Sequence, residues 1–307
     1  MDIRTQTFNC DRCNQQHKIE IDFDQLTQRQ REGKDPVLSN FVCPNIALMY
    51  RVFNLALDTR VRLLNNESMR GHYDHISNGL KAEWGEQGFP EKLSRFKELN
   101  LSFLGIPEEY YSFLWDIVSS YCCGRYYPAM TSAGALGERI LNRLIIKTRE
   151  YFKSSSHYKK IYKKDSFDQW DYPVLVLKEW GVISSKVAEI FLILKSFRND
   201  SIHYNDNYDF EKNAEAAVRA LSEIIDLQFN YEKRKDLLWV FDVPGEIWVK
   251  SEAVNQPFVK EFILPHCALI TPYCEPTATP PIRGKNTPLK PLSDQEFMEA
   301  RKKKLTT

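Results

Sequence analysis

Apolar residues recur at two different spacings along this chain, and each spacing predicts a different kind of element. Lys18-Ile19-Glu20-Ile21-Asp22-Phe23 alternates polar with apolar, which is the period of a strand. Leu48, Met49, Val52, Phe53, Ala56, Leu57, Val61 and Leu64 then recur at three and four. That spacing predicts a helix with Arg51, Asp58, Arg60 and Arg62 away from its apolar stripe. Residues 65–92 are polar, carry four glycines and read as an irregular connector. Long helices are expected from about Pro107 onward. One covers 108–122. A second covers 128–152, with Pro128 in its first turn, where a missing N–H costs nothing. Ala133, Leu136, Ile140, Leu141, Leu144 and Ile145 would be its buried face, with Gly134 and Gly137 allowing a neighbour to approach closely. Residues 153–172 read as a loop. Ser184 or Ser185 can cap a helix that runs on to His203. A further helix covers 209–231, with Ala214, Ala217, Val218, Leu221, Ile224, Ile225 and Leu227 as its stripe.

Strand signals return in residues 237–243 and 246–250, joined across Pro244-Gly245 as a hairpin. Residues 258–264 and 268–271 are further strand candidates. Five prolines between Pro276 and Pro291 mark an extended linker, and Ser293-Asp294-Gln295-Glu296 is a capping box for a short last helix. The resulting fold class is α+β, predominantly α. Its expected parts are a β-rich module over 1–44, a helical connector over 45–106, a helical bundle over 107–234, a β-hairpin extension over 235–275, and a proline-rich linker with a terminal helix over 276–307.

The helix ending at His203 is unusual because it is apolar on both sides. On a helical wheel Val187, Ile190, Phe191, Leu194, Phe197 and Ser201 share one face, while Leu192, Ser196, Asn199 and His203 share the opposite one. Such a helix must be covered twice, either inside its own domain or by a second subunit. Arg198 falls roughly 140° from His203 on the same wheel, so the two heads converge only if the arginine wraps round or the helix ends there.

Arg198-Asn199-Asp200-Ser201-Ile202-His203 resembles the Arg-x4-His signature of the HEPN superfamily, in which Asn follows the Arg and an apolar residue precedes the His. The context is similar too, with the motif at the end of a long bundle helix and one more helix after it. The resemblance covers about residues 108–232. It implies a homodimer whose two motif helices meet, so that two Arg–His pairs form one composite site for metal-independent RNA cleavage. The substrate 2′-hydroxyl would attack the adjacent phosphate. His203 would act as general acid or base, since an imidazole's ordinary pKa of about 6.5 suits proton transfer near neutrality. Arg198 would hold the phosphate oxygens with its planar fork, and Asn199 would orient either group. Tyr204 and Glu138 are candidate supporting partners. The resemblance also implies a setting in toxin or anti-phage defence, with a regulatory protein partner. The alternative is a non-catalytic module that uses the bundle to dimerise and the N-terminal module to contact nucleic acid or protein.

Composition changes this picture little. The chain has 307 residues, 43% hydrophobic and 27% charged, which excludes wholesale disorder. No apolar run approaches the ~18 residues of a membrane span, and the first residues lack a secretory signal, so a cytoplasmic protein with no membrane partner is expected. Forty-two basic residues against 41 acidic ones leave a net charge of +1, so RNA binding must rest on a local patch. Lys153, Lys159, Lys160, Lys163 and Lys164, interleaved with Tyr151, Tyr158 and Tyr162, form the densest such patch; a solvated helix end or loop has the same composition.

Seven cysteines spread over a long chain fit reduced thiols and a metal site better than a disulfide framework. Cys10 and Cys13 have the spacing of a zinc knuckle, and Cys43 stands where the second knuckle of a ribbon should begin. A fourth ligand is missing there, because Ile46 holds its place; His17, His266, Cys267 or Cys274 could supply it. Two readings stay open, a structural zinc or a ribbon that has lost its metal. Adjacent Cys122 and Cys123 read as core thiols. His72-Tyr73-Asp74-His75 has metal-capable groups but no further ligand nearby, and reads as polar loop. No cofactor is expected for catalysis. Nucleotide hydrolases and zinc proteases have no supporting motif.

Overall fold

The computed structural model describes residues 3–9, 15–22, 48–53, 55–58, 60–66, 68, 70–101, 103–203, 209–241, 246–270, 294, 295, 298 and 299. The chain divides into two compact units. One comprises Met1–Arg51, Trp248–Val254 and Cys267–Thr307, the other Val52–Ile247 and Asn255–His266.

In the first unit, strands β1 (Ile3–Asn9) and β2 (Gln16–Asp22) form an antiparallel pair running from Ile3↔Asp22 to Asn9↔Gln16. The alternation over 18–22 therefore marks a strand. Cys10, Cys13 and Cys43 lie outside the described residues, as do Tyr204, Cys274, Ser293 and the basic run 301–304.

Residues 48–64 depart from the expected helix. They form β3 (Met49–Val52), β4 (Leu55–Asp58) and only a short α1 (Arg60–Leu64). Spacing of three and four is local information, whereas the partners that convert this stretch to strand are distant. β4 pairs antiparallel with β5 (Phe103–Pro107), with a register shift between Ala56 and Leu57. β3 pairs antiparallel with β7 (Ile247–Val249) through Arg51↔Trp248. With Tyr50, Val52 and Phe53 suited to a pleated surface, those pairings win over the helical pattern. The expected hairpin is present as β6 (Leu238–Val240) and β7, and β8 (Cys267–Ile270) matches the candidate strand at 268–271. The four-stranded antiparallel sheet has the order β6-β7-β3-β8.

The supposed connector is also structured. It contains α2 (Arg70–Trp84), and α3 (Phe89–Leu99) follows directly. α2 shows no clear apolar stripe because it buries little of its own length; among the described residues Leu80 and Trp84 are its buried ones. His72 and His75 are exposed on this helix, not in a loop. Residues 258–264 were expected as strand, but Val259–Ile263 make a π-helical turn. Phe258 and Phe262 stack at 5.3 Å and both reach Phe229, and an i, i+4 pair on one face is a helical geometry.

The second unit is a helical bundle. It contains α4 (Glu108–Cys122), α5 (Tyr126–Thr148), α6 (Tyr158–Ile161), α7 (Asp171–Glu179), α8 (Ser185–Ile202) and α9 (Phe210–Phe229). The short α6 and the start of α7 fall where a loop was expected. α5 is central and packs against α4, α7, α8 and α9. Ala133, Leu136, Ile140, Leu141, Leu144 and Ile145 are all buried, as their spacing requires. α5 and α8 approach each other closely at Gly134 and Gly137. A Cβ on Gly134 would lie 2.6 Å from Arg198 Cβ, and one on Gly137 would lie 2.5 Å from Leu194 Cδ2. Cys122 is buried and its thiol is pushed up by desolvation, as a core thiol should be. Among the described residues no helix is long and apolar enough to cross a membrane.

α8 starts where the sequence places it, because the Ser184 hydroxyl accepts from the Val187 N–H at 3.2 Å. Ser184→Ala is expected to cost about 1 kcal/mol of stability, read as a lower urea midpoint with unchanged slope; an unchanged midpoint would show that the cap contributes nothing.

Candidate active site

The site is built on the last turn of α8. Val187, Ile190, Phe191, Leu194 and Ser201 are buried on the face the wheel assigns to the core. Close approach at Gly134 brings the base of Arg198 onto α5, and the side chain then meets a carboxylate. Arg198 Nη2 lies 2.9 Å from Glu138 Oε2, and Nη1 donates to Asn199 Oδ1 at 3.2 Å. The same Glu138 oxygen accepts from Trp170 Nε1 at 3.3 Å. Trp170 is fully buried and sits edge-on to Phe191, so its indole is a fixed donor that holds Glu138 in place. Arg198 and Glu138 are each about one-quarter exposed, at 27% and 25% of their side chains. Both groups are still reached by solvent, so a phosphate could compete for the guanidinium.

Ile202 ends the helix. The Ser201 hydroxyl bonds back to the Arg198 carbonyl at 2.7 Å, and His203 turns into extended backbone (φ −102°, ψ 142°) while its N–H still donates to the Asn199 carbonyl. The imidazole is exposed, and among the described residues none hydrogen-bonds to it. Arg198 turns inward to α5 and His203 stands in the open at the helix end.

Arg198 also lines an open groove of about 670 Å³ between α4, α5 and α8. Phe113 and Asp116 of α4, Glu138 and Arg139 of α5, and Ile202 of α8 share that wall; His203 does not. The groove residues on α4 were missed from sequence, although Phe113, Asp116 and Ser120 recur at three and four and so share one helix face. The outer face of α8 is uncovered in the single chain: Leu192 is 41% exposed and Ile193 51%.

The lysine patch lies elsewhere. Lys159, Lys160, Lys163 and Lys164 are exposed on and just after α6, and among the described residues none of the four is ion-paired. Arg149 fastens this segment from beneath by donating to the carbonyls of Ile161 and Lys164. Tyr158 and Tyr162 stack on each other at 5.6 Å, and Lys160, Lys163 and Lys164 sit over Tyr172, Tyr162 and Phe167. Lys153 pairs with Glu150 and Tyr151 donates to Glu261, so those two members are engaged locally.

Among the described residues no group of three His, Cys, Asp or Glu could hold a metal ion. Of the fourth-ligand candidates, Cys267 is partly buried and desolvation pushes its thiol up to about 12. Desolvation lowers the pKa of the half-buried His266.

No protein family, curated protein or solved structure matches this chain.

Proposed function

We propose that the protein is a metal-independent endoribonuclease that works as a homodimer, with Arg198 and His203 as its catalytic pair and Asn199 assisting. The observation that carries this reading is the end of α8: an exposed imidazole beyond a guanidinium poised on the wall of an open groove. The uncovered Leu192 and Ile193, roughly 15 Å back along the same helix, supply an apolar face for a second copy.

Two copies would bring two imidazoles to one site. One removes the proton of the RNA 2′-hydroxyl as that oxygen bonds to the adjacent phosphorus, and the other protonates the 5′-oxygen as its bond to phosphorus breaks. The products are a 2′,3′-cyclic phosphate and a 5′-hydroxyl end. Arg198 exchanges Glu138 for the phosphate oxygens as their charge grows, and its fork matches them in pairs. Lys159, Lys160, Lys163 and Lys164 would follow the RNA backbone away from the cut. A zinc at Cys10, Cys13 and Cys43 would be structural and take no part.

Purified protein is expected to sediment as a dimer and to cut RNA in excess chelator, while Arg198→Ala lowers the rate about 10²- to 10³-fold. Activity that vanishes with chelator but survives Arg198→Ala would overturn the reading. The non-catalytic module also has an observation in its favour, the pinning of Arg198 to Glu138 with His203 outside the groove that Arg198 lines. Dimerisation without cleavage of varied RNAs would select it.

A further inference from the structure

The groove beside Arg198 holds chemistry that phosphate binding and proton transfer leave unused. Phe113 is 45% exposed at its wall, and the Arg139 guanidinium lies over its ring at 5.6 Å. Asp116, one turn along α4 from Phe113, lines the same groove, and among the described residues its carboxylate has no ion pair or hydrogen bond. Arg139 makes no ion pair among them either, with Asp116 or any other carboxylate. One acid and one base thus stand apart beside an exposed aromatic ring, a few residues from the guanidinium that would hold phosphate. The volume of about 670 Å³ is within the range of small-molecule sites, roughly 300–1,000 Å³.

A flat aromatic ring backed by a cation is a stacking platform for a base. A carboxylate offers two acceptor oxygens side by side. Of the four RNA bases only guanine presents two adjacent donors, N1–H and the N2 amine, to meet them. Guanine also offers O6 and N7, the acceptors that an arginine fork reads. Adenine and cytosine put an acceptor beside their amine, and uracil flanks its one donor with acceptors, so each would set a lone pair against Asp116.

We propose that this groove is a guanine-selective base pocket, with Phe113 and Arg139 stacking the base and Asp116 reading its Watson–Crick edge, next to the phosphate held by Arg198. This rests on the ribonuclease reading for its place in the reaction, but base recognition can be measured without cleavage.

The test is calorimetric binding of guanosine, adenosine, cytidine and uridine 5′-monophosphates to the full chain, together with mapping of cleavage sites on an RNA of mixed sequence. The guanosine nucleotide is expected to bind at least about tenfold more tightly than the others. Asp116→Asn, which turns one acceptor into a donor, should erase that preference. Phe113→Ala should weaken binding of the guanosine nucleotide about tenfold. Both side chains are exposed at the surface of α4, so these variants should fold. If the protein cleaves RNA with no excess at guanosine and binds all four nucleotides alike, the pocket is wrong and the ribonuclease stands. If guanosine monophosphate binds selectively and Asp116→Asn abolishes this, yet no RNA is cut, the pocket stands and the ribonuclease falls.

Discussion

Replacing His203 with alanine is expected to remove RNA cleavage and leave the protein otherwise intact. The imidazole is exposed, and the bond that His203 makes to the helix end is through its backbone N–H, which alanine keeps. Surface changes of this kind shift stability by about 0.5 kcal/mol or less. A positioned proton-transfer group contributes about 10²- to 10⁴-fold to rate, and loss of both copies in a dimer removes acid and base together. The measurement is cleavage of end-labelled RNA, with sedimentation and circular dichroism on the same sample. Full activity in His203→Ala, with helix content and dimer unchanged, would remove the catalytic role from this residue.

The second large effect concerns the seam between α5 and α8. Gly134→Ala and Gly137→Ala should each destabilise the protein by about 1–3 kcal/mol, even though alanine is the better helix former by about 1 kcal/mol. At Gly134 the new methyl would meet Arg198 Cβ at 2.6 Å and its Cα at 3.2 Å, so the α8 backbone itself must move. At Gly137 it would meet Leu194 at 2.5 Å and the Trp170 ring at 3.1 Å, and both neighbours are fully buried. Gly79→Ala is the control, because nothing lies within 4 Å of a Cβ there and the residue is exposed; it should be neutral or slightly stabilising. Urea unfolding of the three variants reads the difference. If Gly134→Ala unfolds at the same midpoint as the unmodified chain, α8 does not press on α5 at Arg198. Gly134→Ala should also lower cleavage, since it displaces the base of Arg198 from Glu138.

These variants mark how far local pattern reaches. The glycines of α5, the stripe of α9 and the Ser184 cap are legible because a helix repeats within a few residues and its caps lie next to it. Residues 48–58 are not, since Arg51 and Leu55 take their strand partners at Trp248 and Pro107. A stretch whose apolar residues fit either period takes the form its distant partners impose. α2 is not legible for the opposite reason, because a helix that buries only Leu80 and Trp84 among its described residues shows no clear stripe.

The candidate site divides along the same line. The order of residues alone determined that Arg198 and His203 fall at one helix end, on different sides of it, and that the helix carries a second apolar face. Rise and rotation per residue dictate as much. That this face is uncovered in the single chain is a finding of the structure. Only the tertiary structure decided that Arg198 turns to Glu138, that Trp170 holds that carboxylate, and that Asp116 and Arg139 come to one groove. These neighbours belong to separate helices, and which side chains meet depends on how closely those helices pack, which Gly134 and Gly137 permit at this seam.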